Sequence, residues 1–116
     1  MEELERLTLR HLRMMSSVTD DYLEGKKGLK ELISQLETLY ELVSGRNHLD
    51  NLEVSDFEKN FLERWSTLEV IFSIATSDER EINSDETQEV LKHVVALKKL
   101  IDKDLKRRRD ALGQKR

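Results

Sequence analysis

The sequence predicts an all-α fold, an antiparallel up-down-up-down four-helix bundle, on three observations. The chain has no proline and only four glycines in 116 residues, too few turn formers for a sandwich or barrel. Charged residues make up 38% of it and apolar residues 37%, and most of both are good helix formers. Four segments repeat their apolar residues at intervals of three and four, and each break between them has a physical cause. The length suits one domain with one core, here residues 1–110, followed by a frayed basic tail, 111–116.

The first helix is expected from about Glu2 to Glu24, with Leu4, Leu7, Met14, Val18 and Tyr22 as its stripe and Leu12, Met15 and Leu23 beside it. Gly25 stands where a left-handed residue ends a helix at no steric cost. The second helix begins near Leu29 and carries Leu32, Ile33, Leu36, Leu39, Tyr40 and Val43. The stretch Gly25-Lys26-Lys27-Gly28 between them is therefore a short helix–helix connection. A connection this short turns the second helix back antiparallel to the first.

Gly45 is read as the second stop, followed by a loop from Arg46 to Val54. Ser55-Asp56-Phe57-Glu58 has the pattern of a capping box, in which Ser55 and Glu58 satisfy each other's backbone amides. The third helix holds Phe57, Phe61, Trp65, Leu68, Ile71, Phe72 and Ala75, so the core is expected to centre on Phe61, Trp65, Leu68 and Phe72. The polar run Thr76 to Glu81 ends it. The fourth helix starts after Asn83 or Ser84, either of which is a good N-cap. Its stripe is Val90, Leu91, Val94, Leu97, Ile101 and Leu105.

Several function classes lack their sequence marks. There is no cysteine, hence no thiolate chemistry or disulfide, and a reducing cytoplasmic setting is expected. The start, MEELERL, has no basic n-region followed by an apolar stretch, and no run is apolar and long enough to span a membrane. No GxSxG, Gly-rich phosphate loop or HExxH occurs. His11 lies at the edge of an apolar stripe. His93 follows Glu89 by four, a helix-surface pair. His48 sits in the expected loop, and Glu69 is flanked by Leu68 and Val70. The expectation is a protein without enzymatic activity, metal or cofactor.

Charge is distributed unevenly. The net charge is −4, but residues 1–97 hold 11 basic and 21 acidic side chains, a net of −10, and residues 98–116 hold 9 and 3, a net of +6. The basic end, with Lys103, Lys106, Arg107, Arg108, Arg109, Lys115 and Arg116, suits phosphate contact or a helix C-terminal dipole. The acidic body opposes nucleic-acid binding by the domain as a whole. Asp20, Asp21 and Glu24 close the first helix, and Asp78, Glu79 and Glu81 follow the third. In an up-down-up-down bundle those ends point the same way. The six acids are therefore the candidate partner-binding residues, and their field would speed encounter with a basic protein.

Certain residues carry a family resemblance. Tyr22-Leu23-x-Gly25-Lys26, then Leu29-Lys30-Glu31-Leu32-Ile33-x-x-Leu36-Glu37, then Trp65-x-x-Leu68-Glu69, then a polar loop and a last amphipathic helix, resemble small all-helical bacterial immunity proteins of the colicin-D-like kind. The resemblance covers about residues 18–105. It implies a cytoplasmic protein that neutralises a toxic nuclease by occupying its basic active site. The basic C-terminus departs from that pattern, as does Gly28 where a Ser or Thr cap is expected. The alternative is a helical interaction or assembly module, as a monomer or homodimer, whose charges serve solubility.

Overall fold

The computed structural model describes residues 2–50 and 56–114, with side chains for 3–45 and 56–113. Four α-helices occupy them: α1 Glu2–Leu23, α2 Leu29–Asp50, α3 Asp56–Ser77 and α4 Ser84–Gln114. α1 packs on α2 and α4, and α3 packs closely on α4 and more lightly on α2. The helices thus form a ring in chain order, closed by α4 against α1.

Cross-helix contacts give the directions. Ser16 meets Asp102 and Asp20 meets Lys98, so α4 descends as α1 ascends. Trp65 reaches Ile33 while Phe61 stacks on Tyr40, so α2 and α3 oppose each other. Arg64 meets His93, and Phe57 shares a cleft with Leu100, which sets α3 against α4. Each neighbour is antiparallel, and the bundle runs up-down-up-down. Its extents are 52 × 28 × 18 Å.

The α1–α2 connection is built as its glycine implies. Gly25 has φ +78°. Its amide donates to the Tyr22 carbonyl at 3.0 Å, and the Lys26 amide donates to the Asp21 carbonyl at 2.7 Å. These two bonds are the Schellman closure of a helix C-terminus. Lys27 then donates to Gln35 Oε1 at 2.6 Å and pairs with Asp21 at 3.6 Å, tying α2 to the end of α1.

The α3 end makes the same closure without a glycine. The Glu79 amide donates to the Thr76 carbonyl and the Arg80 amide to the Ala75 carbonyl, both at 3.0 Å. Glu79 takes φ +54°, the left-handed region that costs an L-residue about 1–2 kcal/mol. Asn83 caps α4. Its Oδ1 accepts from the Glu86 amide at 2.8 Å, and its own amide donates to Glu86 Oε1 at 2.9 Å. This is a reciprocal capping box.

Four expectations are corrected. Gly45 does not stop the second helix, which continues through Asp50 and absorbs half of the expected loop; a helical glycine costs only about 1 kcal/mol against alanine. The core side of α1 is rotated by roughly a quarter-turn from the expected stripe. Leu9, Leu12, Met15, Val18 and Thr19 are buried, whereas Leu4, Leu7 and Met14 are exposed. Trp65 and Phe72 are half-buried at the core's edge, and Phe61 and Leu68 are its fully buried centre. Glu69 is exposed. The expected Ser55 cap lies outside the described residues. Its partner position Glu58 is buried, beside Tyr40. α4 continues through Gln114, and Leu112 packs half-buried against the core.

Candidate functional site

The six acids proposed from sequence fall into two groups with different fates. At the α1 end, Asp20 pairs with Lys98 at 2.9 Å, Asp21 with Lys27 at 3.6 Å and Glu24 with Lys26 at 3.0 Å. Lys98 lies at the centre of a small network across the α1–α4 seam. It also contacts Asp102 at 3.3 Å and donates to Ser16 Oγ at 3.2 Å, while Ser16 donates to Asp102 at 2.7 Å. The hydrogen bond to Asp20, reinforced by Asp102, holds the Lys98 ammonium above the usual lysine range. Asp20 joins α1 to α4 and Asp21 ties the turn, whereas Glu24 makes only a solvent-exposed pair with Lys26 in the same turn.

At the α3 end, Asp78 pairs with Arg80 at 3.5 Å. Arg80 also grips Glu86 through its two terminal guanidinium nitrogens, Nη1 and Nη2, at 2.6 and 3.2 Å. That bidentate contact, together with the Asn83 amide, holds the Glu86 carboxyl below the usual carboxylate range. Glu79, Glu81 and Asp85 are exposed and make no ion pair among the described residues. Glu89 touches His93 at 3.4 Å yet keeps half of its side chain in solvent. Of the six candidate acids, only Glu79 and Glu81 stay free of ion pairs among the described residues, and both lie on the α3–α4 turn.

The two groups point toward the same end of the bundle but are not level. Asp20 meets α4 at Lys98, whereas the α3–α4 turn enters α4 at Ser84. At about 1.5 Å per residue that separates them by about 20 Å along the axis. Two carboxylate clusters so far apart act as separate surfaces at physiological ionic strength, where screening sets in at about 8 Å. The reason is the length of α4: its 31 residues outrun the 22 of α1 and α3, so the two partner helices dock at different heights.

An apolar strip leads to the acidic turn. Val70 is 55% exposed and Ile74 is 50% exposed, and Ile74 sits one helical turn before Asp78. The adjacent Ile71 and Phe72 hide this strip in the sequence, and only the orientation of α3 shows that it faces outward. The Asn83–Glu86 box was legible, since Asn-x-x-Glu before an apolar run is a capping pattern. Arg80 as its clamp was not.

Among the described residues, no three His, Asp or Glu side chains converge to hold a metal ion, and no helix is long and apolar enough to cross a membrane. Comparison with known proteins finds no match among family models, curated proteins or solved structures.

Proposed function

We propose that this chain is a non-catalytic protein-binding bundle that engages a basic partner through its α3–α4 turn, in the manner of an immunity protein neutralising a toxin nuclease. The observation that carries the reading is that exposed apolar side chains near the end of α3, Val70 and Ile74, are followed by a turn with the unpaired carboxylates Glu79, Glu81 and Asp85. An apolar centre with a charged rim is the usual anatomy of a protein interface. Negative charge there complements the basic cleft that a nuclease presents to phosphates. Relative to the sequence-based expectation, the binding residues narrow to Glu79 and Glu81, with Asp85 and Glu89 added. Asp20, Asp21, Glu24 and Asp78 are assigned to internal ion pairs.

The test compares two variants against the product of the adjacent gene, by pull-down and then by association rates at rising salt. E79Q/E81Q/D85N/E89Q should keep the fold and slow association about tenfold or more at low salt. D20N/D21N/E24Q should lower stability and leave association nearly unchanged. If neither variant alters binding, or if the gene product is not bound, the acids serve solubility and the bundle is an assembly module.

A further inference from the structure

A second surface, independent of the acidic turn, runs along the flank where α3 meets α4. Three clefts adjoin there, of about 380, 230 and 540 Å³. Asn60 and Lys103 line both the first and the second, and Arg64, Ala96 and Lys99 line both the second and the third. They are one groove. It extends from Lys92 to Arg107, about 22 Å at the rise of an α-helix.

Its walls are basic. Arg64 from α3 shares these clefts with Lys92, Lys99 and Lys103 from α4, and Arg107 lines the far end. Lys92, Lys99 and Lys103 are exposed and make no ion pair among the described residues. The contrast with Lys98 on the same helix is informative. Lys98 faces α1 and is matched by Asp20 and Asp102; its neighbour Lys99 is left unmatched. Like charges at i and i+4, as at Lys99 and Lys103, repel each other on a helix surface. Of the acids lining the groove, Asp104 is buried and already accepts from Arg107 at 2.7 Å and Arg108 at 2.8 Å. The other, Asp56, sits at one end.

The floor is apolar. Leu91 and Val95 are 40% and 41% exposed, with Ala96 and Leu100 half-buried beside them. A phosphate backbone would leave that floor unused. The one aromatic ring in the groove, Phe57, is stacked inward on Phe61 at 5.9 Å, so no platform for bases is offered. What matches an apolar floor beside a row of lysines, in a groove about four turns long, is an amphipathic helix with one aliphatic stripe and acidic flanks. We propose that the α3–α4 groove is a docking site for an acidic amphipathic helix of a partner protein.

The experiment is fluorescence anisotropy with a labelled synthetic helix of about 15 residues, leucine at i, i+3, i+4 and i+7 and glutamate on the flanks. A scrambled peptide of identical composition and a single-stranded DNA oligonucleotide serve as comparisons. The patterned peptide should bind at least about tenfold more tightly than the scrambled one. K99E/K103E should abolish binding without moving the thermal midpoint. V95S should weaken it several-fold, and E79Q/E81Q should leave it unchanged. If the double reversal disturbs the fold, K92Q/K99Q/K103Q replaces it, with the same loss expected. Equal binding of the scrambled peptide would reduce the groove to nonspecific charge. Tighter binding of the oligonucleotide would make it a nucleic-acid site. No binding at about millimolar peptide, or loss through E79Q/E81Q alone, would overturn the proposal. So would a dimer in sedimentation that K99E/K103E dissociates, because the groove would then be occupied by a second copy.

Discussion

Substituting alanine for Gly25 forces a Cβ into the left-handed region at φ +78°. No atom lies within 4 Å of that Cβ, so there is no collision, and the cost is backbone strain alone, about 1–2 kcal/mol. Alanine returns part of it by restricting the unfolded chain, about 0.4–1 kcal/mol. The net expectation for Gly25→Ala is a loss of about 1 kcal/mol. Glu79 occupies the equivalent position of the α3 closure at φ +54°, with the same two amide bonds. Glu79→Gly reverses the terms and should stabilise by about 0.5–1 kcal/mol. For a domain of this size, 1 kcal/mol moves the melting temperature by about 4 °C. Thermal and urea melts followed by circular dichroism read both variants. Equal and opposite shifts are the expected result. A neutral Gly25→Ala would mean that the α1 closure relaxes at no cost. A destabilising Glu79→Gly would mean that the carboxylate itself holds the turn, which the geometry does not show. On the proposed function the same variant, more stable than the wild type, should associate more slowly with the basic partner, separating binding from folding in one substitution.

Two further outcomes follow from polar contacts that join helices. The Trp65 indole donates to the Ile33 carbonyl at 3.1 Å, so Trp65→Phe should cost about 1 kcal/mol in a urea melt, with Trp65→Ala costing more through lost packing against α2. The Lys98 ammonium is held above the ordinary lysine range by Asp20 and Asp102. Its contribution is present below that range, about pH 10.4, and is lost as pH rises through the raised value. Lys98→Met should therefore cost about 1 kcal/mol at neutral pH and flatten the alkaline limb of a stability–pH profile; an unchanged limb would show that the Ser16–Asp102 bond alone holds the seam.

Local chemistry was readable in the chain. Gly25 stops α1, the short connection turns α2 back, Leu29 opens α2, and Asn83, one of the two candidate caps, caps α4, because each depends on residues within one or two turns of the event. The α4 stripe was readable for a related reason, with one correction: Val90, Val94, Leu97, Ile101 and Leu105 are buried, but Leu91, which the periodicity placed among them, is 40% exposed. Gly45 was misleading, since glycine ends a helix only when its backbone turns left-handed, and here it stays in the helix.

What the chain could not state is rotation and height. α1 carries two overlapping apolar stripes, and periodicity does not choose between them. Docking against both α2 and α4 selects Leu12 and Met15 and leaves Leu4, Leu7 and Met14 outside. The candidate acids show the same division. Their clustering near helix ends is a property of the sequence. That Asp20 meets Lys98, 78 positions away, while Glu79 and Glu81 stay unpaired depends on where α1 and α3 dock along the longer α4. Neither choice is encoded in any single helix, because the energy that makes it comes from surfaces that exist only once the helices are packed together.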